Sequence, residues 1–283
     1  MGLSRSKKVV LVGTALVTVG LTGRAAAQDS PSRHHPEAAP ATTKQAASPA
    51  VSRPSQKPPV SRPSQKPKSK PNAVKTATSH FSGPAGSHAT TGTSAVALTF
   101  DDGPDPAQTP RILKLLAQQK VHATFCLVGK NVQRHPELVR QIVAGGHTLC
   151  DHTWRHSLTL GRQPAAAIRA DLARTNAAIQ KAAPGAKVKY FRAPGGNFTP
   201  RLVSVAKQMG MTSIFWKVDP RDWDHPEGES HAAHRSRVIR AVEKHTRKGS
   251  IVLSHDYAQP DTIAAYHTLI PWLRKRFQLI ALP

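Results

Sequence analysis

Two adjacent carboxylates close an apolar segment of this 283-residue chain. Asp101 and Asp102 follow the apolar run 95–100, and Gly103 and Pro104 then bend the chain. Neighbouring side chains in a continuing strand point to opposite faces, but at a strand end both can reach one cavity. That arrangement suits one acid that binds a metal and one that moves a proton. A solvated turn that merely ends the strand is the alternative.

Two histidines further along the chain have the spacing of metal ligands. His152 and His156 are four residues apart, so one helical turn or a tight loop could present both rings to one ion. With Asp102 they would form a three-ligand site with an open position, a common layout for catalytic zinc. In a chain with 15 histidines, a pair of surface or capping histidines is the alternative.

A second group of candidate residues follows the later apolar segments. Arg192 could hold a carboxylate through a bidentate pair, and Gly195 lies in a glycine-rich turn whose backbone amides can approach a ligand closely. Asp222 could raise the basicity of His255 and fix its orientation. Each could also be an ordinary turn or core residue.

An apolar wall is also predicted near these groups. Trp223 and Leu253 would form a surface sized for a small acyl group. Ordinary core packing is the alternative interpretation of both side chains.

The elements that must position these residues alternate between strands and helices. This alternation predicts an α/β fold with a mostly parallel sheet covered by helices. In such folds chemistry collects at the carboxyl ends of the strands, where the residues above all fall. The predicted strands are 95–100, 122–128, 147–151, 188–192, 212–218, 250–254 and 277–281. The predicted helices are 108–119, 136–145, 164–183, 199–209, 231–247 and 261–274.

Five short signatures occur in order along the folded part of the chain. They are T-F-D-D-G-P at 99–104, H-T-x-x-H at 152–156, R-x-P-x-G at 192–196, D-x-x-D-W at 219–223 and L-x-H at 253–255. With them, the chain resembles polysaccharide deacetylases of carbohydrate esterase family 4, the NodB homology domain. The resemblance covers nearly all of 95–283. It implies a distorted (β/α) barrel and metal-dependent removal of N-acetyl, or sometimes O-acetyl, groups from a polysaccharide.

The same resemblance implies a role for each candidate residue. Asp102, His152 and His156 would bind a divalent metal, usually zinc. Asp101 would be the general base that activates the attacking water, and His255 would be the acid that protonates the leaving amine.

The remaining residues would support these groups. Arg192 would orient Asp101, Asp222 would tune His255, and a backbone amide near Gly195 would stabilise the oxyanion. Trp223 and Leu253 would line the pocket for the acetyl methyl group. Many relatives carry an aromatic residue at the position of Gly195, so the substrate preference of this chain stays open.

The hypothesis is therefore a secreted or wall-associated N-deacetylase, with peptidoglycan N-acetylglucosamine as the first substrate. Chitin oligosaccharides and acetylated xylan are alternatives with the same chemistry. A non-catalytic glycan-binding module on this fold is an alternative of another class. A further alternative makes the basic tail the main functional element.

The first residues have the pattern of an exported protein. Basic residues precede the apolar run 9–23, and three alanines follow at 25–27. This predicts a signal peptide over 1–27. The apolar run is shorter than the roughly 20 residues of a membrane-spanning helix, so no stable span is expected after cleavage. An uncleaved anchor is the alternative.

Residues 28–94 are predicted to be a disordered, basic, Pro-rich linker, because they hold almost no large apolar residues. An octapeptide at 51–58 recurs at 60–67, and such Pro-rich repeats form extended spacers. The net charge of +24 favours polyanions, and through the linker the chain could bind anionic wall polymers. Export and the 5% aromatic content argue against a nucleic-acid partner.

Two cysteines complete the set of candidate residues. Cys126 and Cys150 each lie late in a predicted strand. In an exported protein an even pair suggests a disulfide, which is possible if the two strands are neighbours. Two buried free thiols are the alternative.

Overall fold

The apolar run that ends in two aspartates forms the central strand of a parallel sheet. In the computed structural model, which describes residues 83–283, the sheet has seven strands in the order β5-β4-β3-β2-β1-β6, with β7 also paired to β1. All strand pairs are parallel. The strands are β1 (Val96–Asp101), β2 (Thr124–Leu127), β3 (Thr148–Asp151), β4 (Val188–Phe191), β5 (Thr212–Ser213), β6 (Ile251–His255) and β7 (Leu279–Ile280).

Amphipathic helices connect the strands and cover the sheet. Several begin at a proline, whose missing amide proton costs little at that position. Thr199 and Ser230 act as N-caps, each accepting a hydrogen bond from a backbone amide in the first turn of the helix that follows it. The helices are α1 (Thr109–Gln118), α2 (Gly129–Arg134), α3 (Pro136–Ala144), α4 (Ala165–Ala182), α5 (Pro200–Gln208), α6 (His231–His245) and α7 (Pro260–Arg274). The α/β fold class predicted from the alternation is confirmed.

Aromatic packing fixes the strand that carries the paired carboxylates. The Phe100 ring lies 5.3 Å from the ring of Phe125 on β2 and 5.1 Å from that of Tyr266 on α7, measured between centroids. All three side chains are buried in one apolar cluster with the faces of α1, α3 and α7. Because aromatic side chains bury large areas, this cluster holds the end of β1 rigidly.

The predicted strand 212–218 is wrong beyond its first two residues. Only Thr212–Ser213 form a strand, and Ile214 and Val218 make single isolated bridges. The physical reason is an inserted side chain: the Arg192 guanidinium donates a hydrogen bond to the backbone oxygen of Phe215 at 3.1 Å. That oxygen is therefore not available to a neighbouring strand, although the Phe215 amide still donates to the His88 oxygen.

The predicted end of the linker at residue 94 is also wrong. Ser87 and Ala89 are buried, His88 bridges to Ile214, and Thr90 bridges to Ser250. Residues 83–94 therefore belong to the folded part. They pack through small side chains, so their composition did not distinguish them from a linker. The predicted signal peptide and residues 28–82 lie outside the described residues.

The two cysteines lie side by side on neighbouring strands. Cys126 on β2 and Cys150 on β3 are register partners with a Cα–Cα distance of 4.2 Å, and a disulfide joins them in the structure. The bond joins β2, which lies next to the strand of the paired carboxylates, to β3, which leads into the loop that carries His152 and His156 (the histidine loop). Between residues 83 and 283 no helix is long and apolar enough to cross a bilayer.

Candidate metal and proton-transfer site

The candidate residues converge at the carboxyl ends of the central strands. Asp101 ends β1 and His255 ends β6, and the parallel register sets them directly opposite one another. His152 follows the last residue of β3. Eight of the residues predicted from the sequence line one cavity of about 390 Å³: Asp101, Asp102, His152, His156, Gly195, Trp223, Leu253 and His255. Arg192 and Asp222 are buried behind its wall.

Three of these side chains form a compact set of metal-type donors. Asp102 Oδ1 lies 3.3 Å from His152 Nε2 and 3.2 Å from His156 Nε2. Asp102 and His156 both adopt left-handed backbone conformations, with φ of 72° and 57°. Few non-glycine residues adopt this conformation, Asp and His more readily than most, and those that do cluster at functional sites.

The orientation of His152 leaves its second nitrogen free for a ligand. Its Nδ1 lies 2.8 Å from the backbone oxygen of Arg192. A proton on Nδ1 would be donated to that oxygen, so that the lone pair of Nε2 faces Asp102. Metal-binding histidines are commonly fixed in this way by a backbone carbonyl.

The donor set fits a divalent cation. Asp102 Oδ1 is buried and has no hydrogen-bond partner within residues 83–283, although both imidazole nitrogens face it. Burial alone would raise the pKa of Asp102, but His152, His255 and His156 together outweigh it and hold that pKa well below its usual range. One ionised carboxylate and two imidazoles within 4.8 Å of one another match the ligands that zinc prefers.

A buried arginine fixes one oxygen of the neighbouring carboxylate. Arg192 is fully buried, and its Nη1 donates to Asp101 Oδ1 at 2.7 Å and to Thr99 Oγ1 at 2.8 Å. The bidentate pair predicted for Arg192 is therefore wrong: only Nη1 contacts Asp101, Nη2 donates to the Phe215 backbone oxygen, and Nε has no hydrogen-bond partner within residues 83–283. Asp101 Oδ2 stays directed toward the site, 3.6 Å from His152 Nε2.

A second buried carboxylate orients the histidine on β6. Asp222 Oδ1 lies 2.8 Å from His255 Nδ1, and Oδ2 accepts hydrogen bonds from the His255 amide and the Thr262 hydroxyl. Burial of the ring opposes its charged form and lowers the pKa, but the charge and hydrogen bond of Asp222, with the charges of Asp102 and Asp101, outweigh it and raise the pKa of His255 to about 9. At neutral pH the ring is thus an imidazolium, with Nδ1 committed to Asp222.

The mouth of the cavity is lined by apolar side chains. Leu253 is buried, whereas Trp223 is 46% and Leu158 is 53% exposed. A Cβ at Gly195 would lie 3.0 Å from Leu158 Cδ2, so Leu158 already fills the space over that glycine. Sequence reasoning missed Leu158 and Trp216, and for Leu158 only its position two residues after His156 offered a signal.

Comparisons with known proteins agree with this geometry. The family described as "Polysaccharide deacetylase" matches residues 88–214. A chitooligosaccharide deacetylase of Sinorhizobium fredii is 36% identical, over 68% of this chain and 92% of its own length. A peptidoglycan-N-acetylglucosamine deacetylase of Bacillus cereus is also 36% identical, over 64% of this chain and 82% of its own.

A solved structure of a pseudoenzyme shows a similar fold. A family 4 carbohydrate esterase pseudoenzyme from Bacillus anthracis has a TM-score of 0.59 and 29% identity, over 66% of this chain and 63% of its own. The fold alone therefore does not establish activity, and the functional groups of each chain have to be considered.

Proposed function

Because this chain belongs to the polysaccharide deacetylase family, we propose that it is a secreted, metal-dependent hydrolase that removes N-acetyl groups from a glycan. Asp102, His152 and His156 would hold the metal, which we take to be zinc. The observation that carries the proposal is the unpartnered, buried Oδ1 of Asp102, faced by two imidazole nitrogens.

The proposed metal supplies one part of the chemistry. When bound, such a cation would polarise the acetyl carbonyl and make a water molecule more acidic. Asp101 would accept the proton of the attacking water through Oδ2, and the hydrogen bond from Arg192 to its other oxygen supports this role. A fixed base of this kind needs no reorientation during the reaction.

The second proton transfer is assigned to the histidine on β6. Since Nδ1 of His255 is bonded to Asp222, the proton available to substrate is the one on Nε2. Its transfer to the nitrogen of the breaking amide bond would release acetate and a free amine. Trp223 and Leu253 would enclose the acetyl methyl, and a backbone amide at Gly195 would donate to the oxyanion.

This assignment predicts a defined pH dependence. His255 must be protonated, so kcat/KM should fall as the pH rises through its pKa. Asp222→Asn removes the charge that raises this pKa and should move the alkaline limb to lower pH by about one unit or more. Profiles of acetate release against pH check this.

A surface carboxylate provides the matched control for that profile. Asp224→Asn removes an exposed carboxylate that pairs with Arg221, and its alkaline limb should stay at the wild-type position. An unmoved limb in Asp222→Asn would contradict the role given to His255.

We propose peptidoglycan N-acetylglucosamine as the substrate. Acetate release from peptidoglycan, chitin oligosaccharides and acetylated xylan, each with zinc and with chelator, tests the reaction and the substrate together. Zinc-dependent acetate with the highest kcat/KM on peptidoglycan is expected. A higher kcat/KM on another polymer would contradict the proposed substrate. If folded, zinc-loaded protein releases no acetate from any of the polymers, the proposed function is wrong and a glycan-binding module is favoured.

The basic segment before the fold is proposed to retain the protein at an anionic wall. The proposal rests on the net charge of +24 and the Pro-rich composition of the region before residue 83. Retention on isolated walls should weaken as salt rises and after deletion of 28–82. Salt-independent retention would contradict it.

A further inference from the structure

A second cavity opens beside the metal-ligand cluster. It has a volume of about 260 Å³ and shares Asp102 and His156 with the main cavity. Lys130, Arg155 and Tyr257 line the other part of its wall. The two cavities are therefore contiguous at Asp102 and His156.

The two cations of this second cavity have no acidic partner of their own. Within residues 83–283, neither Lys130 nor Arg155 forms an ion pair or a side-chain hydrogen bond. Arg155 acts on Asp171 only at longer range, and Asp171 also has Arg174. Two unpaired cations on one concave wall create a positive potential that attracts an anionic group.

Short backbone contacts hold these cations relative to the metal ligands. The Lys130 amide donates to the Trp154 oxygen at 2.9 Å, which ties the start of α2 to the loop that carries Arg155. The side-chain amide of Asn131 donates to the Asp102 backbone oxygen at 2.8 Å. The second cavity is thus anchored to both the aspartate turn and the histidine loop.

Asp102, which lines both cavities, would not repel an anionic group in the second cavity once a metal is bound to its carboxylate. Asp102 is the only acidic residue in the wall of the second cavity. A divalent cation on Asp102 would more than offset its charge. The phenol ring of Tyr257, 40% exposed, offers a face on which a sugar ring can pack.

We propose that the second cavity binds a carboxylate carried by the sugar unit next to the one that is deacetylated. Building on the proposed function, this site makes the enzyme prefer acidic glycans such as peptidoglycan over neutral chitin. Arg155 is suited to a carboxylate because its planar guanidinium can donate two parallel hydrogen bonds. Lys130 adds a mobile point charge, and the small volume admits a substituent rather than a whole oligosaccharide.

The test compares two tetrasaccharides of equal length. One is chitotetraose, and the other is a peptide-free peptidoglycan tetrasaccharide that carries lactyl carboxylates. The double variant Lys130→Ala, Arg155→Ala should lower the ratio of kcat/KM on the acidic to the neutral substrate by about tenfold or more. The change should lie mainly in KM, because binding rather than chemistry is affected.

Two matched controls isolate the carboxylate. A carboxyl-reduced form of the acidic tetrasaccharide should be insensitive to the double variant. Arg240→Ala, Lys244→Ala removes an exposed pair of the same residue types from α6 and should leave the ratio unchanged. An equal loss on both substrates, or no loss on the acidic one, would overturn the proposal.

A binding measurement separates this proposal from the proposed function. Calorimetry of the acidic tetrasaccharide with wild type and the double variant needs no turnover, and an about tenfold weaker Kd is expected for the variant. If neither substrate releases acetate but this difference in Kd is found, the deacetylase function fails and the carboxylate site stands. If acetate is released and the Kd values are equal, the carboxylate site fails alone.

Discussion

Replacing Asp101 with asparagine is expected to lower kcat by about a thousandfold while the metal content stays at the wild-type level. A positioned general base contributes roughly 10²–10⁴ in rate, and an amide of the same shape cannot accept the proton. The cluster of Asp102, His152 and His156 does not include Asp101, so metal binding should persist. Acetate release and elemental analysis of the same sample give both quantities.

The free energy of unfolding of Asp101→Asn should also be measured, because Asp101 is the ion-pair partner of Arg192. Arg192 is fully buried, and loss of the charge on Asp101 leaves its guanidinium uncompensated. Unpaired buried charges cost about 3–5 kcal/mol, although Thr99 and Phe215 would still accept hydrogen bonds from Arg192. Denaturant unfolding should therefore show a lower free energy but a folded protein at assay temperature. Loss of metal from folded Asp101→Asn would show that the roles of the two aspartates are wrongly divided.

His152→Ala is expected to abolish both metal binding and activity. The substitution removes one of three proposed ligands, the one whose orientation is fixed by the Arg192 backbone oxygen. Two remaining ligands hold zinc far more weakly, so metal should fall to a small fraction of one equivalent and the rate by at least about a hundredfold. Dialysed protein is assayed for zinc and for acetate release.

An exposed histidine supplies the matched control. His245→Ala, at the end of α6, should keep wild-type metal content and activity. Stoichiometric zinc in His152→Ala would place the ion on other residues and contradict the ligand set.

The sequence predicts that the functional groups lie close together, because strands and helices alternate regularly along the chain and this pattern is typical of a parallel sheet. In a parallel sheet all carboxyl ends meet at one edge, so Asp101, His152 and His255 had to lie near one another once the strands were recognised. The six predicted helices appear within about two residues of their expected limits. The short helix α2 was not predicted, since it has six residues and runs into α3 at Pro136.

Features that depend on tertiary contacts were not predictable from the pattern. The Phe215 backbone oxygen makes no strand hydrogen bond because it accepts one from the side chain of Arg192, which follows β4. Residues 83–94 look like the linker but pack through small side chains such as Ala89. Lys130 and Arg155 have no unusual spacing, and only the contact between α2 and the histidine loop brings them together.

We propose that Asp102, His152 and His156 hold the metal on which deacetylation depends. The most direct test is a zinc titration of chelator-stripped protein, followed by acetate release from peptidoglycan. Activity should be absent in the stripped protein and return in proportion to zinc up to one equivalent per chain. Full activity in zinc-free protein, or zinc binding at one equivalent without any acetate, would contradict the account.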